Sequence, residues 1–184
     1  MDSVIGIILA AGGSSRMGCP KALLPLDGAP LILHHIKQLT PVCQQIVVVL
    51  GGHVSRIEAV LPERIRQVTN PDWQRTGPAE SLLIALSAPI QRAVVTPVDV
   101  PPIPASVLEM LLAVGGPAVP QWQEQDGHPV VIDSSTRDVL ERGGVLRDAL
   151  SRATRVAVDW PDTTLNLNTP AQWAAWKRAR ADRG

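Results

Sequence analysis

Short apolar runs alternating with helix-length amphipathic segments set the rhythm of this chain. Val4 to Leu9 is apolar and rich in β-branched residues, the pattern of a buried strand, and the Ala10-Ala11-Gly12-Gly13 that follows permits a tight turn on which backbone N–H groups converge. After Pro30, Ile32, Ile36 and Leu39 recur at helical spacing, and Ile46 to Leu50 forms a second run closed by Gly51-Gly52. Ile57 and Val60 give a short helical face. A strand is expected from Arg66 to Thr69, broken by Asn70-Pro71, and a longer helix begins at Pro78 with Leu82, Leu83 and Leu86 as its apolar stripe. Arg92 to Val95 is the next strand, and the rigid Pro101-Pro102-Ile103-Pro104 segment leads into a helix carrying Val107, Leu108, Leu111 and Leu112.

Beyond Gly115-Gly116-Pro117 the elements shorten. Ala118 to Trp122 and His128 to Ile132 read as strands joined by a polar turn at Gln125-Asp126-Gly127, a small hairpin over the main sheet. Ser135 to Glu141 and Val145 to Leu150 are short helices flanking Gly143-Gly144, and Val156 to Val158 is a brief strand. Thr169-Pro170 with Gln172 has the form of a capping box with proline at the first helical position, so a last helix starts there with Trp173 and Trp176 on one face. Strands separated by helix-length crossovers predict an α/β fold: a Rossmann-like, mostly parallel central sheet with helices on both faces. One domain over residues 1–184 is the expected organisation.

Composition narrows the class. With 45% hydrophobic residues the chain can bury a core without disulfides, and its 17 basic and 17 acidic side chains give no broad positive surface for nucleic acid. Cys19 and Cys43 form neither a CxxC pair nor a disulfide framework, which fits a reducing cytoplasm. The first apolar run lacks a basic flank, and no stretch of about twenty apolar residues spans a bilayer, so neither secretion nor membrane insertion is expected. Five Trp with no Phe or Tyr leave the core to aliphatic side chains.

The densest chemistry lies between Leu9 and Gly28. Leu9, Ala10, Ala11, Gly12 and Gly13 bring backbone donors to the end of the first strand, Arg16 adds a planar guanidinium fork, Lys21 adds a mobile charge and Gly18 lets the loop turn back. Together they suit a nucleotide's phosphates; an ordinary glycine-rich turn with solvated cations is the bland alternative. Neither GxGxxG nor a GKS or GKT ending is present, so the phosphates are held in another way. Asp99, projected from a strand end before a proline segment, is placed to bind phosphate-bound Mg²⁺ or to cap a turn. Asn168 can offer that cation a neutral oxygen or satisfy local backbone, and Asp162 is a weaker metal candidate with a capping alternative. Gly77, Pro78 and Ser81, at a helix start, can read a base or ribose or simply cap the helix. His34 and His35 read as ordinary helix residues.

The segment LAAGGSSRMGCPK, Leu9 to Lys21, resembles the LAAGxSxRMGxxK signature of the molybdenum-cofactor nucleotidyltransferase branch of the MobA-like NTP transferase family. The resemblance continues through NPDWQRTGPAESL (Asn70 to Leu82), TPVDVPPI (Thr96 to Ile103), GHPVVI (Gly127 to Ile132) and LNLNTP (Leu165 to Pro170). It implies a nucleotide-diphospho-sugar transferase-like fold, with Arg16 and Lys21 on the phosphates, Asp99 on Mg²⁺ and His128 beside the acceptor. Asn168 stands where the family often has Asp, a change that keeps an oxygen ligand without its charge. GPAESL is closer to cytidylyl-transferring members than the GPLAG of guanylyl transfer, so the expected reaction moves CMP from CTP to molybdopterin or its molybdenum-bearing form, releasing pyrophosphate. GTP-dependent guanylyl transfer, a nucleotide-sugar pyrophosphorylase and a nonenzymatic nucleotide-binding protein are the alternatives. The resemblance also implies transient contact with the molybdoenzyme that receives the cofactor, or with its chaperone.

Overall fold

The computed structural model describes residues 3–87 and 90–183. In chain order they form β1 (Val4–Ala10), a short hairpin of β2 (Pro25–Leu26) and β3 (Ala29–Pro30), α1 (Leu31–Leu39), β4 (Gln45–Leu50), α2 (Val54–Glu58), β5 (Arg66–Thr69), α3 (Pro78–Ala85) and β6 (Arg92–Pro97). The second half adds α4 (Ala105–Ala113), β7 (Ala118–Trp122), β8 (Gln125–Asp126), β9 (Val130–Asp133), α5 (Ser134–Glu141), α6 (Leu146–Ala149), β10 (Thr154–Ala157) and α7 (Pro170–Ala181). Eight strands share one sheet in the order β10-β7-β9-β6-β1-β4-β5, with β8 paired to β7. β1 runs parallel to both β4 and β6, β5 runs parallel to β4, and β9 is antiparallel to β6 and β7.

The central strands read as continuous apolar runs because both of their faces are covered. On β4, Val48 and Leu50 face a core with Ile8, Ile32, Ile36, Leu39 and Leu108, while Val47 and Val49 face a second core with Ile7, Leu82, Leu86 and Leu140. α1 and α4 cover the first face, α3 and α5 the second. Each fully buried aliphatic side chain contributes about 1.5–3 kcal/mol, so these two layers dominate stability. No helix among the described residues is long and apolar enough to cross a membrane. Cys19 and Cys43 are both free thiols.

The expected hairpin over the sheet is corrected. β9 lies inside the main sheet between β6 and β7, and Val130, Val131 and Ile132 are buried there as a central strand requires. The polar turn sits two residues earlier, at Gln123 and Glu124, whose φ angles of 47° and 66° form the reversal from β7 to β8. Gly127 does different work: a Cβ there would meet the Thr163 carbonyl oxygen at 2.5 Å.

A third apolar cluster fastens the loop after β1 to the end of the chain. Met17, Leu24, Leu26 and Leu31 pack with Leu167, Trp173 and Trp176, and the two indoles lie 5.2 Å apart, tilted by 40°. α7 starts as its sequence predicts: Thr169 Oγ1 accepts from the Gln172 N–H while the Gln172 carboxamide accepts from Thr169 N–H. The buried Asp162 carboxylate accepts from Trp176 Nε1 at 2.9 Å and from the Arg183 guanidinium at 2.9 and 3.0 Å. Asp162 is thereby a brace for α7, and its oxygens are engaged away from Asp99.

His35 on α1 is fully buried against the backbone of Val98 and Val100, which favours the protonated ring less than burial disfavours it. Burial pushes its pKa from 6.5 down to about 4, so the imidazole is neutral in the folded protein at pH 7. The unfolded chain therefore binds a proton that the folded chain refuses between pH 6.5 and 4, and stability falls as pH falls through that window. The contribution is on the order of 3 kcal/mol. In denaturant titrations His35→Leu is expected to lose less stability than the wild type between pH 7 and 4.5; parallel losses would remove His35 from the acid response.

Candidate active site

The sheet order creates the cleft. From β1 the chain builds outward to β4 and β5 on one side, then returns to place β6 on the other, and the crevice outside the carboxyl ends of such strands is where open α/β sheets take ligands. The loop after β1 and the loop after β6 flank a cavity of about 250 Å³ at this point. Leu9, Ala10, Ala11, Gly12, Lys21, Gly77, Ser81 and Asp99, all singled out from sequence, line it.

Four polar side chains from three remote stretches of the chain converge at the cleft. Lys21 Nζ donates to Asp99 Oδ2 at 2.8 Å and to Asn168 Oδ1 at 2.6 Å, and the exposed Arg16 guanidinium donates to the same Asn168 oxygen at 3.1 Å. Backbone fixes the geometry. Leu167 N–H donates to the Asp99 carbonyl at 2.7 Å, joining the loop after β6 to the segment before α7. Lys21 N–H donates to Ser14 Oγ at 3.0 Å, and Ser14 holds a left-handed φ of 53° to make the bend. Two cations against one carboxylate leave this corner positive, a field suited to phosphate. The Lys21 and Asp99 side chains are only 13% and 23% exposed, so their charges are screened less than surface charges.

The glycines divide their work. A Cβ on Gly12 would meet nothing within 4 Å, so its backbone faces open space along the cavity. Gly13 is outside the cavity lining, and a Cβ there would strike the Trp73 ring at 2.6 Å; one on Gly51 would meet the Ala11 carbonyl oxygen at 2.6 Å and Trp73 Cβ at 2.7 Å. These two glycines seat an indole that sequence reasoning left unassigned. Trp73 lines the cavity, and an aromatic side chain in the polar loop NPDWQRT was the available signal.

Asn70, also passed over, organises the opposite wall. Its buried carboxamide donates to Thr76 Oγ1 at 2.8 Å and to Ser81 Oγ at 3.0 Å, while its oxygen accepts from Asp72 N–H at 3.0 Å. Glu80 closes the first turn of α3 by accepting from Gly77 N–H at 2.8 Å, leaving the helix's positive end at the cavity.

His128 is placed differently. It lines a second cavity, and burial holds its imidazole below the usual histidine range, opposed by the Asp99 charge. Among the described residues no group of three or more His, Cys, Asp or Glu is arranged to hold a metal. A cation here would have one carboxylate, Asp99, and one amide oxygen, Asn168. Because both oxygens already reach a single ammonium, they can share one cation, and the remaining ligands would have to be phosphate oxygens and water.

Comparison with known proteins agrees with this architecture. The MobA-like NTP transferase domain model matches residues 6–158. A protein of Rhodopirellula baltica named probable molybdenum cofactor guanylyltransferase is 32% identical, over 91% of this chain and 89% of its own. The molybdenum cofactor guanylyltransferase of Sinorhizobium fredii is 30% identical over 90% and 87%, respectively. A crystal structure of a homologue of Mycobacterium tuberculosis Rv0371c, from Mycobacterium sp. strain JC1, aligns over 98% of both chains with a TM-score of 0.82 and 26% identity.

Proposed function

The chain belongs to the MobA-like NTP transferase domain family, and on that premise we propose that it transfers a nucleotidyl group, GMP from GTP, to a molybdopterin-type acceptor with release of pyrophosphate. The convergence of Lys21, Asp99, Asn168 and Arg16 at the switch point of the sheet is the observation that carries it.

The reaction is an in-line displacement. An acceptor phosphate oxygen bonds to the α-phosphorus as the bond to the bridging oxygen breaks, and pyrophosphate departs with that electron pair. The residues' task is to hold reactants in line and stabilise charge on the oxygens. Gly12 and its neighbours supply backbone donors, Arg16 and Lys21 bind the phosphates, and Trp73 offers a ring face to the base. Asp99 and Asn168 hold Mg²⁺ in this reading; the ion, when bound, neutralises phosphate charge and makes pyrophosphate a better leaving group. Lys21 exchanges its contacts with Asp99 and Asn168 for phosphate oxygens.

Guanine is assigned because relatives spanning about nine tenths of both chains are named guanylyltransferases. The cytidylyl preference read from GPAESL finds no support among them, and the geometry gives a reason. Ser81 Oγ already accepts from Asn70 and keeps its proton and one lone pair, the pair of roles any base edge can use. One O–H donor meets the O6 of guanine as readily as the O2 or N3 of cytosine, so Ser81 does not choose the base. With equal GTP, CTP and UTP, Mg²⁺ and a molybdopterin acceptor, mass analysis is expected to find mainly the guanine dinucleotide. A cytosine product would overturn the base assignment, and uridylyl transfer to a sugar phosphate with none to the pterin would overturn the acceptor.

A further inference from the structure

The loop after β4, Gly51-Gly52-His53, lies against the loop after β1. Gly52 N–H donates to the Ala11 carbonyl at 2.8 Å, and a Cβ on Gly52 would meet Gly13 Cα at 3.0 Å. One side chain completes the contact: His53 Nε2 lies 3.1 Å from the Gly13 carbonyl oxygen. A carbonyl oxygen only accepts, so Nε2 carries the proton and the imidazole donates. His53 holds a left-handed φ of 62°, uncommon for a residue with a Cβ, and its own carbonyl accepts from the Arg56 and Ile57 N–H groups in the first turn of α2. The ring is thus delivered from a backbone fixed at the carboxyl end of β4.

The peptide that His53 grips belongs to the wall of the nucleotide cleft. The Gly13–Ser14 bond is trans, so its carbonyl and its N–H point in opposite directions. With the Gly13 carbonyl turned toward His53, the Ser14 N–H is turned away from it. Gly12 and Ser14 line the cavity, whereas Gly13 and His53 lie outside its lining. Among the described residues the Ser14 N–H has no acceptor, and the imidazole is the only donor to the Gly13 carbonyl. Glycine at position 13 makes a flip of this peptide cheap, and a flip would face the cleft with a carbonyl oxygen in place of a donor.

We propose that His53 is a positioning residue for the nucleotide's phosphates: by holding the Gly13 carbonyl, it aims the Ser14 N–H into the cleft as a donor to a phosphate oxygen before the nucleotide arrives. His53 itself touches no substrate. The inference rests on the nucleotidyl-transfer reading above and adds to it a part of the phosphate site that lies outside the loop after β1. A donor to phosphate leaves the base unread, so GTP and CTP depend on His53 equally.

Two substitutions separate the ring's hydrogen bond from its backbone. Asn adopts a left-handed φ readily, so His53→Asn keeps the turn while its shorter amide falls short of the Gly13 carbonyl. Gln carries an amide nitrogen at the reach of the histidine Nε2, so His53→Gln restores the donor. Because the ring is exposed, losing it opens no hole in the core. In calorimetry with Mg²⁺, His53→Asn is expected to bind GTP and CTP each about tenfold more weakly, the worth of one charge-assisted hydrogen bond. Its thermal melt and acceptor KM are expected to match wild type, and His53→Gln is expected to recover most of the lost affinity. Wild-type affinity in folded His53→Asn, or equal losses in the two variants, would overturn the positioning role even if the enzyme transfers guanylate. Affinity lost in His53→Asn and regained in His53→Gln, in a protein that transfers no nucleotide to any pterin, would sustain the role and overturn the reaction instead. Wild type that binds neither triphosphate would overturn both.

Discussion

Replacing Arg16 and Lys21 together by alanine is expected to weaken nucleotide triphosphate binding by about two to four orders of magnitude while the protein stays folded. Each cation supplies charge-assisted hydrogen bonds of about 1.5–3 kcal/mol to phosphate oxygens, and the two sum to that range. The fold survives because neither side chain belongs to the apolar layers; both reach Asn168, and Lys21 alone reaches Asp99. Removing Lys21 leaves a carboxylate that is 23% exposed, where water can replace the ammonium. Calorimetry with GTP and CTP, alongside a thermal melt, separates lost binding from lost structure. Unchanged affinity in a folded double variant would end the phosphate assignment of this loop.

Asp99→Asn is expected to lower turnover by about 10²–10³-fold while changing nucleotide affinity only a few-fold. The substitution keeps shape and one oxygen but removes the one negatively charged ligand that the protein gives the proposed cation, and stabilisation of developing charge is worth several kcal/mol at such sites. Its backbone role persists, since the Leu167 N–H is held by the Asp99 carbonyl rather than by the side chain. Rates measured across a Mg²⁺ titration give the readout: the variant should require more Mg²⁺ and still plateau low. Wild-type rates at limiting Mg²⁺ would remove Asp99 from metal binding. Asn168→Ala, which takes away the other oxygen, is expected to have a smaller effect in the same direction.

The strands and helices that carry the cleft were legible in the sequence because their patterns have one physical reading. The apolar run from Val4 is a strand covered on both faces, and Thr169-Pro170 with Gln172 is a helix start whose reciprocal hydrogen bonds the structure contains. Turn geometry was less legible. Gln123 and Glu124 take left-handed φ angles that favour glycine, whereas the nearby glycine, Gly127, is needed where Thr163 leaves no room for a side chain. The same ambiguity hid Trp73: a glycine at position 13 suits a phosphate-binding turn, and its missing Cβ also makes space for an indole.

Distance across the chain was the other obscured quantity. Lys21, Asp99 and Asn168 are separated by tens of residues, and the sheet order and the Leu167–Asp99 backbone bond help bring them within hydrogen-bonding reach. Family resemblance supplied their order, while the packing of Met17 against Trp173 and Trp176 supplies a reason that the loop after β1 stays beside the segment before α7.

Following the α-phosphorus tests the central claim most directly. GTP labelled at the α-phosphate, incubated with the protein, Mg²⁺ and a molybdopterin acceptor, is predicted to pass its label to a pterin dinucleotide with one pyrophosphate released for each product. Label recovered as free GMP or GDP whether or not the acceptor is present, with no labelled dinucleotide, would contradict it.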